Sequence, residues 1–473
     1  MTLFTKFKEK FIGTRAFYKM LLSIIVPLVI SQGITNFVSL LDNVMVGQLG
    51  DLPMSAVSII NQLVFIFNLA IFGGLSGVSI FSTQYYGSGN WQGMRNCFRF
   101  KLYFAVGTSA VAAAILLIFG EPLVMLFLKS ESNSAADVAA TLGYALDYMR
   151  IAVIGLLPFA LVQAYGNTLC EMGQTKLPMY AGLAAIGVNL CFNYLLIYGK
   201  FGFPALGVRG AAIATVMSRF VELFFIVIAT HLKSDKYLFA KGIFSSFKVP
   251  LALVRRIVVT GTPLMVNEVM WSMGKTFINR SYSLRGIDVI AATNITDTAW
   301  NLFCIVMFAF GTAISIIIGQ KLGEEDRKGA ISTVPKLMFA AEAIHIVVAA
   351  IIILCSGLIP QLYNSNDYVK ELARDFLIVC GIILPFETLV HNTYFVIRSG
   401  GKTFITFLFD SAYEWVIQCT LSYVLCKFTD MNIVLVFFIV MASAFLKLTF
   451  GIPMLKSGFW ANTLIGFREH KNK

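Results

Sequence analysis

An all-α polytopic membrane protein, with twelve transmembrane helices in two six-helix lobes, is the fold class that the sequence predicts. Three observations lead there. Of 473 residues, 58% are hydrophobic and 13% charged, about half the charge of a soluble chain, with a mean hydropathy of +0.78. Apolar runs long enough to cross a hydrocarbon core of about 30 Å recur along the chain. The two halves of the chain also repeat one another. A single water-soluble core of this composition would leave too much apolar surface in water. Soluble enzyme, nucleic-acid reader and disordered scaffold are therefore excluded at the outset.

The apolar runs, broken at Gly, Pro and charged clusters, fall near 20–47, 53–83, 99–120, 138–168, 177–198 and 209–231, then 257–284, 289–319, 335–357, 371–397, 403–426 and 431–455. The leading segment MTLFTKFKEKFIGTRAFYK is basic but has no small-residue cleavage site after a short apolar stretch, so it reads as leading into a retained helix. The net charge of +12 sits in short segments between apolar runs, not in a folded basic face. Lys and Arg divide 25 to 6 between alternate sides. The richer side includes Arg95, Arg99, Lys101, Arg468, Lys471 and Lys473, and the poorer side includes Lys129. That split places both termini in the cytoplasm, and short tails fit a prokaryotic plasma membrane. The eight cysteines form no CxxC pair, and neither a disulfide framework nor a zinc site is expected.

The repeat has two registers. An offset of 236 lays Pro27 on Pro263, Ala56 on Ala292, Gly87 on Gly323 and Gly93 on Gly329. Further on, an offset of 227 lays Pro158 on Pro385 and brings EMGQTK onto RSGGKT. The expected domains are an N-lobe over 1–232, a basic cytoplasmic linker over 233–256 and a C-lobe over 257–473. Six helices per half is an even number, so the repeat is parallel and the substrate path is expected between the lobes.

Charges inside spans are costly and concentrate at functional sites. Asp42 lies in the first run, ahead of Gly47 and Gly50, which begin the exit turn. Asn189 and Asn193 are four apart and share one face of the fifth helix. Their amide oxygens, with the Thr215 hydroxyl from the sixth helix, suit a small hard cation beside a carboxylate, although Asn pairs also join helices by hydrogen bonds. Glu268 follows Pro263 by five residues where the first half has Gln32, and Glu387 follows Pro385 by two where it has Ala160. These acids, found only in the second half, suit uptake of protons or a cation. The competing reading is a structural bridge to Arg374, Lys275 or Arg280. His391, four residues after Glu387, is a relay partner or a packing residue. Lys275, Arg280, Arg150, Arg219 and Lys447 are expected near span ends, snorkelling to the interface.

No enzyme constellation is present: no Walker motif, no HExxH and no GxSxG. Transport work would have to come from an ion gradient, since nothing in the chain handles ATP. The sequences LLDNVMVGQLG, GNWQGMR, NLCFNYLLIYGKFGFPALGVRGAAIATVMSR and PFETLVHNTYFVIRSGGKT together resemble the multidrug and toxic compound extrusion (MATE) family over essentially the whole chain. The resemblance implies a secondary antiporter expelling amphipathic, often cationic, compounds in exchange for Na+ or H+, with no other cofactor. It implies an N-lobe cation site at Asp42, Asn189, Asn193 and Thr215. In some members the second Asn position is an acid, and here Asn193 leaves Asp42 as that site's carboxylate. The C-lobe acids of one bacterial branch carry over to Glu268 and Glu387, the latter replacing the Asp usual there.

The expected mechanism is alternating access of two lobes by a monomer in the lipid bilayer, with a small amphipathic substrate and neither nucleic acid nor an ATPase subunit as partner. The alternatives are a flippase of lipid-linked precursors, whose cavity would need central cations, and a passive channel or non-transporting receptor.

Overall fold

The computed structural model describes residues 3–128 and 134–465, so Lys129, Arg468, Lys471 and Lys473 lie outside the described residues. Seventeen α-helices assemble into a short leading helix and twelve rods. The leading helix is α1 (Leu3–Phe11), and the first half continues with α2 (Arg15–Gly47), α3 (Asp51–Gly87), α4 (Trp91–Leu128), α5 (Ala135–Ala152), α6 (Leu156–Glu171), α7 (Lys176–Tyr198) and α8 (Val208–Leu232). The second half holds α9 (Leu251–Ser283), α10 (Ile287–Phe303), α11 (Ile305–Gly323), α12 (Arg327–Cys355), α13 (Asp367–Ser399), α14 (Thr403–Phe407), α15 (Thr420–Phe428), α16 (Ile433–Ala442) and α17 (Phe445–Ser457).

Four rods are interrupted. A 3-10 turn, Val153–Gly155, links α5 to α6, and α10 meets α11 at Cys304. Two π-helical segments, Leu408–Ala412 and Glu414–Cys419, join α14 to α15, and α16 gives way to α17 around Ser443. The twelve rods correspond to the twelve predicted spans. The helix α1 was not among them. It places Phe7 and Phe11 against Phe339 of α12, with ring centroids 5.9 and 6.3 Å apart.

Nine helices among the described residues are long and apolar enough to cross a membrane. The helices α9 and α13 and the α14–α15 rod fall outside that group because they carry ionisable residues in mid-run. The apolar residues left outside are large: Ile118 and Leu126 are each 69% exposed and Leu354 78%. A lipid-facing surface accounts for such exposure, whereas a water-facing one would not.

The repeat is legible in the backbone. The helices α2 and α9 each run 33 residues, and Pro27 and Pro263 occupy the same place within them. Each proline removes one backbone donor from its helix. Ala56 and Ala292 are both fully buried.

By their internal contacts the residues form two compact units. One gathers Ile30–Ser82 and Trp91–Arg255, the other Met1–Val29, Thr83–Asn90 and Arg256–Lys473. In the first, Ala56, Ile60 and Leu75 of α3 form a core with Leu116 and Val124 of α4, Tyr148 of α5 and Ala212 of α8. In the second, Phe376 and Cys380 of α13 pack with Ile278 of α9, Ala292 of α10 and Phe437 of α16.

Within the second unit the ends of α3 and α11 cross reciprocally. A Cβ on Gly87 would run into the carbonyl of Gln320, and a Cβ on Gly323 would run into the carbonyl of Gln84. Both pairs obey the 236-residue offset, so the repeated glycines mark a self-complementary contact between equivalent helices, the intrachain counterpart of a two-fold interface. The Gln84 side chain is held there by Ser399 O at 3.2 Å, Asn462 O at 3.3 Å and Leu464 N at 2.7 Å. Replacing Gly87 or Gly323 by Val forces the two backbones apart and is expected to cost about 1–3 kcal/mol. Thermal unfolding of the purified protein checks this, and an unchanged midpoint for both variants would refute the close crossing.

Candidate functional site

The first unit brings Asp42, Asn189, Asn193 and Thr215 into one hydrogen-bonded chain. Asn193 and Asn189 are one turn apart on α7, and both are buried. Asn193 Nδ2 donates to Asp42 Oδ1 at 2.5 Å and to Asn189 Oδ1 at 3.2 Å. Asn189 Nδ2 in turn points to Thr215 Oγ1 of α8 at 3.5 Å. Tyr148 of α5, which the sequence reading missed, lies within electrostatic reach of Asp42 and close to Thr215. Asn193 Oδ1 is buried without a hydrogen-bond partner. A half-buried carboxylate and an unsatisfied amide oxygen side by side are hard oxygen donors of the kind that take a small cation or a proton.

Arg219 lies within electrostatic reach of Asp42 and was expected at a span end. It sits in the middle of α8 instead, paired with Glu222 at 3.0 Å and stacked over Phe159 at 5.1 Å. The pairing compensates a charge that could not reach the interface from that depth.

A second cluster in this unit corrects the sequence reading further. Lys101, counted among the loop cations, is fully buried. Its Nζ reaches both Glu171 oxygens at 2.6 and 2.7 Å and Thr168 Oγ1 at 3.1 Å, and Ser82 also donates to Glu171. Arg99 is buried too, on the carbonyls of Ile243 and Gly242. It ties the segment after α8 to α4, with Phe239 wedged on Phe98 at 4.9 Å. These cations enter helix α4, which begins at Trp91, so they are structural residues and not free loop charges.

The second unit holds the remaining candidates in a wider acid and base network. Glu268 and Glu387 are half-buried, and neither enters an ion pair among the described residues. Arg374 pairs with its neighbour Asp375 at 3.1 Å. The acids that are paired are ones the sequence reading did not single out. Asp410 accepts from Lys447 Nζ at 3.2 Å and from Asn267 Nδ2 at 3.0 Å, and Lys275 stands 3.9 Å from Glu414. Lys447 was expected to snorkel. It is 6% exposed and held by Asp410, since α17 begins only two residues before it and packs against α13.

Asn267 further links Ser411, whose hydroxyl donates to its carbonyl at 2.8 Å, and Tyr394 at 3.4 Å. Glu268 lies within reach of Arg398 and Asp410, and Glu387 within reach of Lys275, Lys447 and Asp410. His391 shares a face of α13 with Glu387 but contacts rings: Phe395 at 4.8 Å and Phe308 at 5.5 Å. Its Nε2 is buried without a partner.

Long apolar helices repeated along the chain, with partly satisfied acids among them, define a polytopic membrane protein. A family model described as MatE matches residues 27–195 and 263–424, and the chain belongs to that family. The two matched copies begin 236 residues apart, the offset read from the prolines. Among similar proteins, one of Thermotoga maritima named "Probable multidrug resistance protein NorM" is 20% identical over 430 residues, covering 90% of each chain. The multidrug resistance protein PmpM of Pseudomonas aeruginosa is 23% identical over 412 residues, covering 86% of this chain and 84% of its own. The fold matches a solved structure described as the outward-facing conformation of a multidrug resistance MATE family transporter, with a TM-score of 0.81, 19% identity, and coverage of 93% and 96%.

The buried ion pair generates a direct prediction. Lys101→Met strands the Glu171 carboxylate and is expected to destabilise the protein by about 3–5 kcal/mol. Adding Glu171→Leu should recover most of that loss. Thermal melts of the three proteins provide the measurement, and an additive second loss would contradict the pairing.

Proposed function

We propose that this chain is a secondary antiporter that exports amphipathic, cationic compounds in exchange for Na+ or H+. The observation that carries the reading is the Asp42–Asn193–Asn189–Thr215 chain, a carboxylate with an unsatisfied amide oxygen beside it inside membrane-spanning helices. Uncompensated donors at that depth are expensive unless they are used. A proton or Na+ entering there neutralises Asp42 and changes what α2 needs from α7. The same step, taken from opposite sides of the membrane in alternation, couples ion entry to substrate release. One charge moved across 100 mV supplies about 2.3 kcal/mol, so a single ion suffices for a modest substrate gradient.

The second unit supports a cationic substrate. Glu268, Asp297, Glu387, Asp410 and Glu414 stand against Lys275, Arg398 and Lys447, five acids to three bases. The excess of negative charge attracts organic cations and repels the pyrophosphate of a lipid-linked precursor, which places the flippase reading second. The relatives named as multidrug resistance proteins support export of foreign compounds. The positive-side bias supports both termini in the cytoplasm of a prokaryotic cell, and the transporter works as a monomer in this reading.

Asp42→Asn is expected to abolish gradient-driven export of a fluorescent cationic dye while leaving expression intact. Everted vesicles energised separately by Na+ and by pH gradients check it, and the gradient that drives the wild type names the ion. Unimpaired export by Asp42→Asn would sink the coupling assignment. Conduction without ion exchange would identify a channel.

A further inference from the structure

The rod joining α14 to α15 changes pitch where its charges lie. Leu408–Ala412 and Glu414–Cys419 are π-helical, a rare widened turn that recurs at functional sites. Glu414 begins the second segment and is 1% exposed, yet neither of its carboxylate oxygens has a hydrogen-bond partner. A carboxylate so buried is held against a strong preference for water. The room it occupies comes from Gly274 of α9, where a Cβ would stand 3.0 Å from Glu414 Cδ and 3.2 Å from Oε1. The neighbouring backbone is fixed, with Trp415 Nε1 donating to Met270 O at 2.9 Å and Cys419 Sγ to Gly274 O at 3.6 Å.

The nearest cation is Lys275, and its geometry is loose. Its Nζ is 3.9 Å from Glu414 Oε1, beyond hydrogen-bond distance. The lysine side chain is 53% exposed against 2% for the glutamate. Lys275 also faces Glu387, Asp297 and Asp410. Two of those acids are already engaged: Asp297 by Asn279 at 3.0 Å, and Asp410 by Lys447 and Asn267. Glu414 and Glu387, by contrast, accept no hydrogen bond among the described residues. Phe277 lies between Trp415 at 5.8 Å and Tyr423 at 6.1 Å, supplying ring faces that attract cations.

We propose that Glu414, with Glu387 within electrostatic reach of it, binds the positive centre of a lipophilic organic cation, and that the Lys275 ammonium is a tethered occupant which such a ligand displaces. The proposal rests on the export reading above and names part of its substrate site. A long, flexible ammonium held without a hydrogen bond is easily moved aside. While in place it keeps the buried carboxylate from standing alone.

The test uses the full chain in lipid nanodiscs, with tetraphenylphosphonium as the cationic probe and triphenylphosphine oxide as a neutral probe of related shape. Lys275→Met removes the competitor and is expected to tighten tetraphenylphosphonium binding. Glu414→Gln is expected to weaken it about tenfold, the scale of one lost charge-assisted contact. In the double variant the gain from Lys275→Met should vanish, and the neutral probe should bind all forms alike. Glu414→Asp, which keeps the charge, should retain most of the affinity and guards against misfolding of the Gln variant. Weaker binding by Lys275→Met, or unchanged binding by Glu414→Gln, would overturn the proposal and make the pair a structural bridge. A wild type that binds the neutral probe but not the cation would overturn the cationic-substrate reading itself, a pattern distinct from the other two.

Discussion

A charge inside a hydrocarbon slab must find its compensation within the protein, and the rest of this structure is arranged around that constraint. Lys101 and Glu171 show complete compensation. Both carboxylate oxygens meet the ammonium, with the Thr168 and Ser82 hydroxyls filling further positions. Nothing in that cluster is left to bind a ligand. Asp42 and Glu414 show the opposite condition, one carboxylate met by a single amide and one carboxylate bare of hydrogen bonds. The degree of satisfaction thus separates charges that hold helices together from charges that can be used.

The repeat divides along the same line. Positions that decide backbone geometry are duplicated: Pro27 with Pro263, Ala56 with Ala292, Gly87 with Gly323. Positions that carry chemistry are not. The 227-residue offset puts Arg398 opposite Glu171, Val416 opposite Asn189 and Thr420 opposite Asn193. Arg398 is buried over the rings of Phe395 and Tyr394 at 5.2 and 5.9 Å, where Glu171 has a lysine. Helix crossing tolerates only small residues at the contact whatever the cargo, whereas an inward side chain is free to diverge once the rods are placed.

This explains what could be read from the sequence. Twelve rods follow from hydropathy, and the prolines and glycines give the repeat. Asp42, Asn189 and Asn193 stand out because each polar group interrupts an apolar run, with the two amides at helical spacing. Asp410, Glu414 and Lys447 were not legible for three physical reasons. The rod carrying the acids is polar enough that no single charge stands out. Its π turns alter the phase that an ideal helix would assign. The partners are also remote, Lys447 being 37 residues from Asp410 and Lys275 139 residues from Glu414. Lys101 was misread for a related reason: the charged stretch from Arg95 looks like a loop, but α4 starts at Trp91 and carries it inside.

The two proline helices are equivalent in sequence but not in membership. All of α9 from Arg256 onward lies in one compact unit, whereas α2 passes from one unit to the other between Val29 and Ile30. That boundary falls two residues after Pro27, a residue with no backbone N–H to donate. Asp42 lies fifteen residues further along the same helix, about 22 Å at helical rise. Its segment shares a unit with α7 and α8, while the segment before Pro27 shares one with the second half of the chain. The helix that carries Asp42 therefore contributes residues to both units. In the proposed exchange, a proton or cation at Asp42 acts on the one carboxylate that Asn193 holds from α7, fifteen residues beyond the proline at which α2 changes unit.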